Sequence, residues 1–186
     1  AIWERKYDDR GVAPGIKRRS KAPAVSDEII LSAVERRTSG ALAMIATTMN
    51  EPRFDQGQYL NESSDVQACC TIFGPSDLET IDEGFPTEVQ AYHDSRAASE
   101  ALLVKARAAS PLGHIHPGLP PFLIMHGNND HMVSQRQSDH LYEALCENGT
   151  EVEYVVLDKA DHGDDHWFQQ PVIDYVVDWF RNHLRP

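Results

Sequence analysis

The stretch that most constrains this chain is a short apolar run, residues 121–126 (PFLIMH). It is bounded by Gly118-Leu119-Pro120 before it and by Gly127 after it. An unbroken apolar run between turn-forming residues marks a strand buried on both faces, because neither face is left for polar side chains. A polar loop follows, Gly127-Asn128-Asn129-Asp130-His131. Residues 134–148 then carry a helical pattern, with Leu141, Ala144 and Leu145 on one face and Ser134 as N-cap. Gly149 stands where a helix end favours a left-handed residue. Residues 151–157 (EVEYVVL) predict a second strand and residues 159–166 a second polar loop. Pro171 suits the first turn of a last helix, in which Val172, Ile173, Val176, Val177, Phe180 and Leu184 recur at helical spacing. Strand, helix, strand, helix at these lengths means βαβ crossovers. The expected fold class is therefore α/β, with a mostly parallel sheet flanked by helices.

Upstream, residues 66–73 (VQACCTIF) predict another buried strand, ending in the loop Gly74-Pro75-Ser76-Asp77. Residues 88–109 are Ala-rich and predicted helical, and the region 80–110 is expected to cap a site. Residues 42–48 predict a helix, whereas residues 28–34 (EIILSAV) fit strand or helix. Residues 15–27 carry Lys17, Arg18, Arg19 and Lys21 with Pro23 and read as a basic, solvated loop. Cys69 and Cys70 alternate faces of their strand, so at least one packs as a small hydrophobe. Neither has the electropositive setting that a nucleophilic thiol needs.

Composition removes whole classes of function. The 186 residues, 41% hydrophobic, suffice for one domain with a core. No apolar run approaches the ~20 residues of a bilayer-spanning helix, so no membrane span is expected. Seventeen basic against 29 acidic side chains give net charge −12, which makes nucleic acid a poor partner. Three cysteines do not make a disulfide framework. Residue 1 is Ala with no charged-then-apolar leader, so the expectation is a processed chain or a fragment. Asn61-Glu62-Ser63 and Asn148-Gly149-Thr150 match a glycosylation pattern that arises often by chance. Nothing in the composition assigns a compartment.

In an open parallel sheet, functional groups collect on loops beyond the carboxyl ends of the strands. Two such loops here carry complementary groups. Asp130 lies just past one strand and His162 just past the next. A carboxylate and an imidazole on neighbouring strand ends can meet, the carboxylate orienting the ring and stabilising its protonated form. A nucleophile from an earlier strand end would complete the set. His114-Ile115-His116 and Asp161-His162-Gly163-Asp164-Asp165-His166 also offer nitrogen and oxygen ligands. The His162–His166 spacing would suit zinc on a helix, but Gly163 argues for a loop, and no metal ligand is assigned. His114 and His116 are expected to be solvated loop residues.

Residues 108–130, from Ala108-Ala109-Ser110-Pro111-Leu112 through the apolar strand to Asp130, resemble the α/β-hydrolase superfamily. The resemblance is to its acetyl-esterase, lipase and feruloyl-esterase-like branch, related to prolyl oligopeptidase. It continues through Ala160-Asp161-His162-Gly163 and the closing helix, and Cys70-Thr71-Ile72-Phe73-Gly74-Pro75-Ser76-Asp77-Leu78 looks like that branch's preceding strand and loop. Residues 1–14 look like the helix before its nucleophile strand. The resemblance implies a serine hydrolase with a Ser-Asp-His triad, in which Asp130 is the acid and His162 the base. It implies a carboxylesterase acting on small acyl esters with no cofactor, with ester specificity set by residues 88–109 and the loops near residues 73–77.

The nucleophile departs from the family pattern. A Gly-x-Ser-x-Gly elbow needs small neighbours because its turn is strained and tightly packed. A gap-free reading back from Leu42-Ala43 puts Arg37 at the nucleophile position. A two-residue slide makes Ser39 the nucleophile, with Arg37 and Ala41 where glycines belong; Ser39 also reads as a helix N-cap. The His-Gly-Gly run that often supplies oxyanion donors is not found. The expectation is thus a single domain over residues 1–186 lacking the N-terminal strands of the fold, whose open sheet edge invites self-association. Its function is ester hydrolysis by Ser39, Asp130 and His162. The alternative is a degenerate, inactive domain serving as a binding module, and a weaker third reading is a metal-dependent hydrolase built on the histidine cluster.

Overall fold

The computed structural model describes residues 3–5, 39–49, 51–54, 60–63, 65–81 and 100–184. Among these, the strands β1 (Trp3–Arg5), β2 (Cys69–Ile72), β3 (Phe122–Gly127) and β4 (Val152–Leu157) form one sheet in the order β1–β4–β3–β2. The helices are α1 (Ser39–Thr47), α2 (Glu100–Ala108), α3 (Arg136–Glu147) and α4 (Gln170–His183), with short 3₁₀ turns at Pro111–His114 and Asp165–Phe168. β2, β3 and β4 run parallel, with Cys69 opposite Phe122 and Gly127 opposite Leu157. The predicted α/β class with a mostly parallel sheet is what the structure has.

Parity divides the core. Successive strand side chains point to opposite faces, so Phe122, Ile124, Tyr154, Val156 and Cys69 pack on one face with Ala43 and Ala46 of α1 and Leu141 and Leu145 of α3. Leu123, Met125, Val155, Leu157 and Cys70 pack on the other with Val172, Val176 and Trp179 of α4. Every residue of β3 is buried, as a strand covered by helices on both sides must be. Both cysteines serve as core, one on each face, where burial pushes the Cys69 thiol up to about 12 and the Cys70 thiol up as well.

Several expectations need correction. Residues 1–14 are expected to be helical, but Trp3–Arg5 pairs antiparallel with β4, Trp3 opposite Leu157. Those three residues satisfy backbone groups that β4 would otherwise present along an open edge. β2 is shorter than the apolar pattern over residues 66–73, because Val66 turns its N–H to Met49 Sδ (3.0 Å) and the ladder starts where Cys69 N–H donates to the Pro121 carbonyl (2.9 Å). His114 is no solvated loop residue. It is 5% exposed, with Nδ1 2.7 Å from Glu51 Oε1 and Nε2 2.9 Å from the Ala108 carbonyl, and it ties the chain after α1 to the end of α2. His116 likewise reaches a backbone acceptor, the Met49 carbonyl at 3.1 Å.

Other expectations hold with adjusted bounds. α1 covers most of the helix expected over residues 42–48, and Pro171 lies in the first turn of α4. Gly149 adopts φ +77° just past α3. The expected N-cap does not hold: Gln135 stands at that position without a side-chain cap bond, and among the described residues Ser134 Oγ accepts only from Arg136 N–H at 3.3 Å. The basic loop at residues 15–27, the ambiguous segment 28–34, Arg37 and most of the expected cap lie outside the described residues. Among the described residues no helix is long and apolar enough to cross a membrane.

Candidate active site

Parallel pairing of β3 and β4 brings their carboxyl ends, and the loops that follow, side by side. The approach is closer than ordinary side chains permit. A Cβ on Gly127 would lie 2.1 Å from the Ala160 carbonyl oxygen, so only glycine lets the loop after β4 pass over the end of β3. Asn128 and Asn129 donate their N–H groups across this seam to the Leu157 and Ala160 carbonyls, each at 3.1 Å. Lys159, at φ +62°, returns a bond to Asn128 Oδ1 at 2.6 Å.

Asp130 and His162 meet across this seam. His162 Nδ1 lies 2.8 Å from Asp130 Oδ2. The Asp130 side chain is 1% exposed and that of His162 24%. The other carboxylate oxygen, Oδ1, accepts the N–H groups of Met132 and Val133, each at 2.8 Å. Burial pushes the Asp130 carboxyl up, but donors from His126, Val133, Met132 and His162 outweigh it and hold the group at about 2. An ionised carboxylate can only accept, so Nδ1 carries the proton of the bond and Nε2 of a neutral ring keeps its lone pair. Among the described residues Nε2 has no hydrogen-bond partner.

The loop around His162 is closed by its own side chains. Asp161 Oδ1 accepts from His162 N–H (2.7 Å) and from His131 N–H (3.0 Å), which joins the base's loop to the acid's. Those donors, led by His131 N–H, lower the Asp161 carboxyl. Asp164 accepts from Asp161 N–H at 2.8 Å, and Trp167 Nε1 donates to the Asp161 carbonyl at 2.7 Å. Gly163 takes φ +69°.

Phe73 backs the imidazole. It follows β2 in the left-handed region, at φ +45°, where a bulky residue is strained. Its ring centre lies 4.3 Å from that of His162 and 4.9 Å from that of Trp167. The loop beyond it is pinned by Gln137 of α3, which is fully buried. Gln137 Oε1 accepts the N–H groups of Ser76 (2.9 Å) and Asp77 (2.8 Å), and its Nε2 donates to the Thr80 carbonyl (3.0 Å).

Of the three residues singled out from sequence, two are therefore in contact. The third, Ser39, is the first residue of α1, and its side chain lies outside what is described. His162 and His166 do not share a site. His166 turns to Asp164 Oδ2 at 2.9 Å, and among the described residues no three His, Cys, Asp or Glu side chains are gathered for a metal ion. Sequence reasoning passed over His126 and Gln137, and met Asp161 only among possible metal ligands. His126 alone had a visible signal: it is the one ionisable side chain in a run otherwise apolar, and a buried imidazole needs partners. A groove of about 670 Å³ beside the end of α1, lined by Met44, Ile45, Phe54 and Leu60 among others, takes no residue from either loop of the pair.

Known proteins share this arrangement of strands. The BD-FAE family model matches residues 36–145. Esterase LipQ of Mycobacterium tuberculosis is 32% identical over 128 residues, 66% of this chain but 30% of LipQ, so the chain spans less than a third of that relative's length. A truncated carbohydrate esterase from gut microbiota superposes with a TM-score of 0.61 at 20% identity, over 78% of this chain and 56% of the other. The propionate-bound esterase Est2 of the planctomycete Thermogutta terrifontis does so with a TM-score of 0.54 at 25% identity, over 76% of this chain and 53% of Est2. On the strength of the family match, which covers more than half of its residues, the chain belongs to the BD-FAE family, and its sheet and helices are part of an α/β-hydrolase fold.

Proposed function

We propose that this chain carries the acid–base half of a carboxylic-ester hydrolase that acts on small acyl esters through an acyl-enzyme. The observation that carries the reading is the 2.8 Å bond from His162 Nδ1 to the buried Asp130 carboxylate, which leaves Nε2 without a partner among the described residues. A ring held this way is in the tautomer a general base needs. In the proposed route the Ser39 hydroxyl gives its proton to His162 Nε2 as its oxygen attacks the ester carbonyl. The imidazolium, stabilised by Asp130, returns that proton to the leaving alcohol, and the acyl group stays on Ser39. Water then repeats the exchange and releases the acid. No step uses a metal or an organic cofactor. The names of the matched relatives, esterase and carboxylic ester hydrolase, support the reaction class.

The test is labelling of the full chain with a fluorophosphonate probe, alongside p-nitrophenyl acetate turnover with and without EDTA. Labelling that disappears in Ser39→Ala, with turnover lowered ~10³-fold or more in Asp130→Asn and His162→Ala, is the expected result. Labelling retained in Ser39→Ala removes that residue from the mechanism. A folded chain that neither labels nor turns over ester supports the alternative, a degenerate domain kept as a binding module; Arg37 at the gap-free nucleophile position is what favours it. Turnover lost only in EDTA would support metal-assisted hydrolysis instead.

A further inference from the structure

His126 lies near the end of β3, fully buried, four residues before Asp130. Its Nδ1 lies 2.6 Å from Ser138 Oγ on α3, and its Nε2 lies 3.0 Å from the Val133 carbonyl and 3.3 Å from Asp130 Oδ2. A carbonyl and an ionised carboxylate only accept, so Nε2 must carry a proton. The Ser138 hydroxyl, free to rotate, then donates to Nδ1 of a neutral ring. Every polar atom of this buried imidazole is thereby matched, and its tautomer is fixed by its surroundings.

The consequence reaches the acid by two routes. The principal Nε2–H bond goes to the carbonyl of Val133, the residue whose own N–H holds Asp130 Oδ1. The carboxylate oxygen Oδ2, the one that receives His162, is the second and longer acceptor of the same proton. His126 thus fastens the turn of residues 130–133 to the strand and also touches the carboxylate. Two imidazoles face one oxygen and two backbone N–H groups face the other, which leaves the carboxylate no freedom to rotate.

We propose that His126 is a positioning residue for the acid–base pair, setting the orientation of the Asp130 carboxylate that in turn fixes the ring of His162. The inference deepens the esterase reading and rests on it only for the consequence in turnover. The geometric part stands on the Asp130–His162 bond alone.

The experiment is imidazole ¹H–¹⁵N correlation on the full chain, comparing wild type with His126→Phe, His126→Gln and Ser138→Ala. A glutamine amide has two N–H donors for the same two acceptors, whereas phenylalanine fills the space and donates nothing. The expected result is a His162 ring protonated at Nδ1 in wild type and His126→Gln, and a mixture of tautomers in His126→Phe, with backbone amide shifts of α4 unchanged. Ser138→Ala keeps the imidazole and both acceptors of its Nε2–H, so the wild-type His162 Nδ1–H signal is expected there. Should His126→Phe not fold, His126→Leu, which also donates nothing, takes its place with the same mixture of tautomers expected. An unaltered His162 signal in whichever of these two apolar variants folds overturns the proposal, as does equal loss in His126→Gln and the apolar variant, which would reduce the role to packing. Where wild type turns over ester, kcat in His126→Phe falls on the order of tenfold with KM unchanged. In a chain with no turnover the tautomer measurement still decides the positioning role, so failure of the esterase reading and failure of this one are told apart.

Discussion

Asp130 makes the stability of this chain acid-sensitive by an amount that can be worked out. Its carboxyl is held at about 2 against an ordinary value of 3.8. Each unit of difference between folded and unfolded states is worth about 1.4 kcal/mol, so the group contributes about 2 kcal/mol. The sign follows from the direction. A carboxyl lowered on folding stabilises fully above its unfolded value, and that contribution disappears as pH falls from about 4 towards 2, where the folded form must also take up a proton. The amide introduced by Asp130→Asn cannot titrate. Glu51, Asp161 and Asp164, whose carboxyls are also lowered, are common to both proteins and cancel in the comparison. Urea unfolding of both chains from pH 5 to pH 2 should give a wild-type advantage that shrinks by about 2 kcal/mol by pH 2. A difference that stays flat to within about 0.5 kcal/mol would mean that Asp130 is not held as its four donors imply, and the reasoning would be wrong.

Other substitutions probe the scaffold around the pair. Gly127→Ala must move the Ala160 carbonyl, 2.1 Å from the new Cβ, by about an ångström; a loss of about 3 kcal/mol in urea unfolding and a shifted His162 imidazole signal are expected. Gln137→Ala strands the buried N–H of Ser76 and the half-buried N–H of Asp77. At about 1–3 kcal/mol for each unpaired group, it should lower stability by several kcal/mol, measurable in the same way. Of the three cysteines, exposed Cys146 should react with Ellman's reagent in the native chain within minutes. Cys69 and Cys70, buried and with their thiols pushed up, should react only on unfolding, and two or more fast thiols would contradict the core assignment.

The parts of this fold legible in the sequence are those with strong periodicity. β3 and β4 are apolar because helices cover both faces, α4 repeats its apolar residues at helical spacing, and glycine and proline mark the junctions. β1 was not legible. Three residues carry no measurable period, and what makes them a strand is the free edge of β4, a property of the folded sheet. The pairing of Asp130 with His162 was legible because each lies a few residues past an evident parallel strand. The burial of His114 was not, since its partners Glu51 and Ala108 come from separate segments. The left-handed turn at Phe73 had no glycine to announce it, and strain of that kind shows only in coordinates.

The seam at Gly127 and Ala160 has a consequence for how such a chain can change over time. Acid and base are supplied by one crossover unit, β3–α3–β4 with its two trailing loops, and are stitched together by bonds internal to that unit. Substitutions outside this unit leave those bonds in place. A lineage can therefore vary elsewhere in the chain while the proton-handling half is preserved by its contribution to folding.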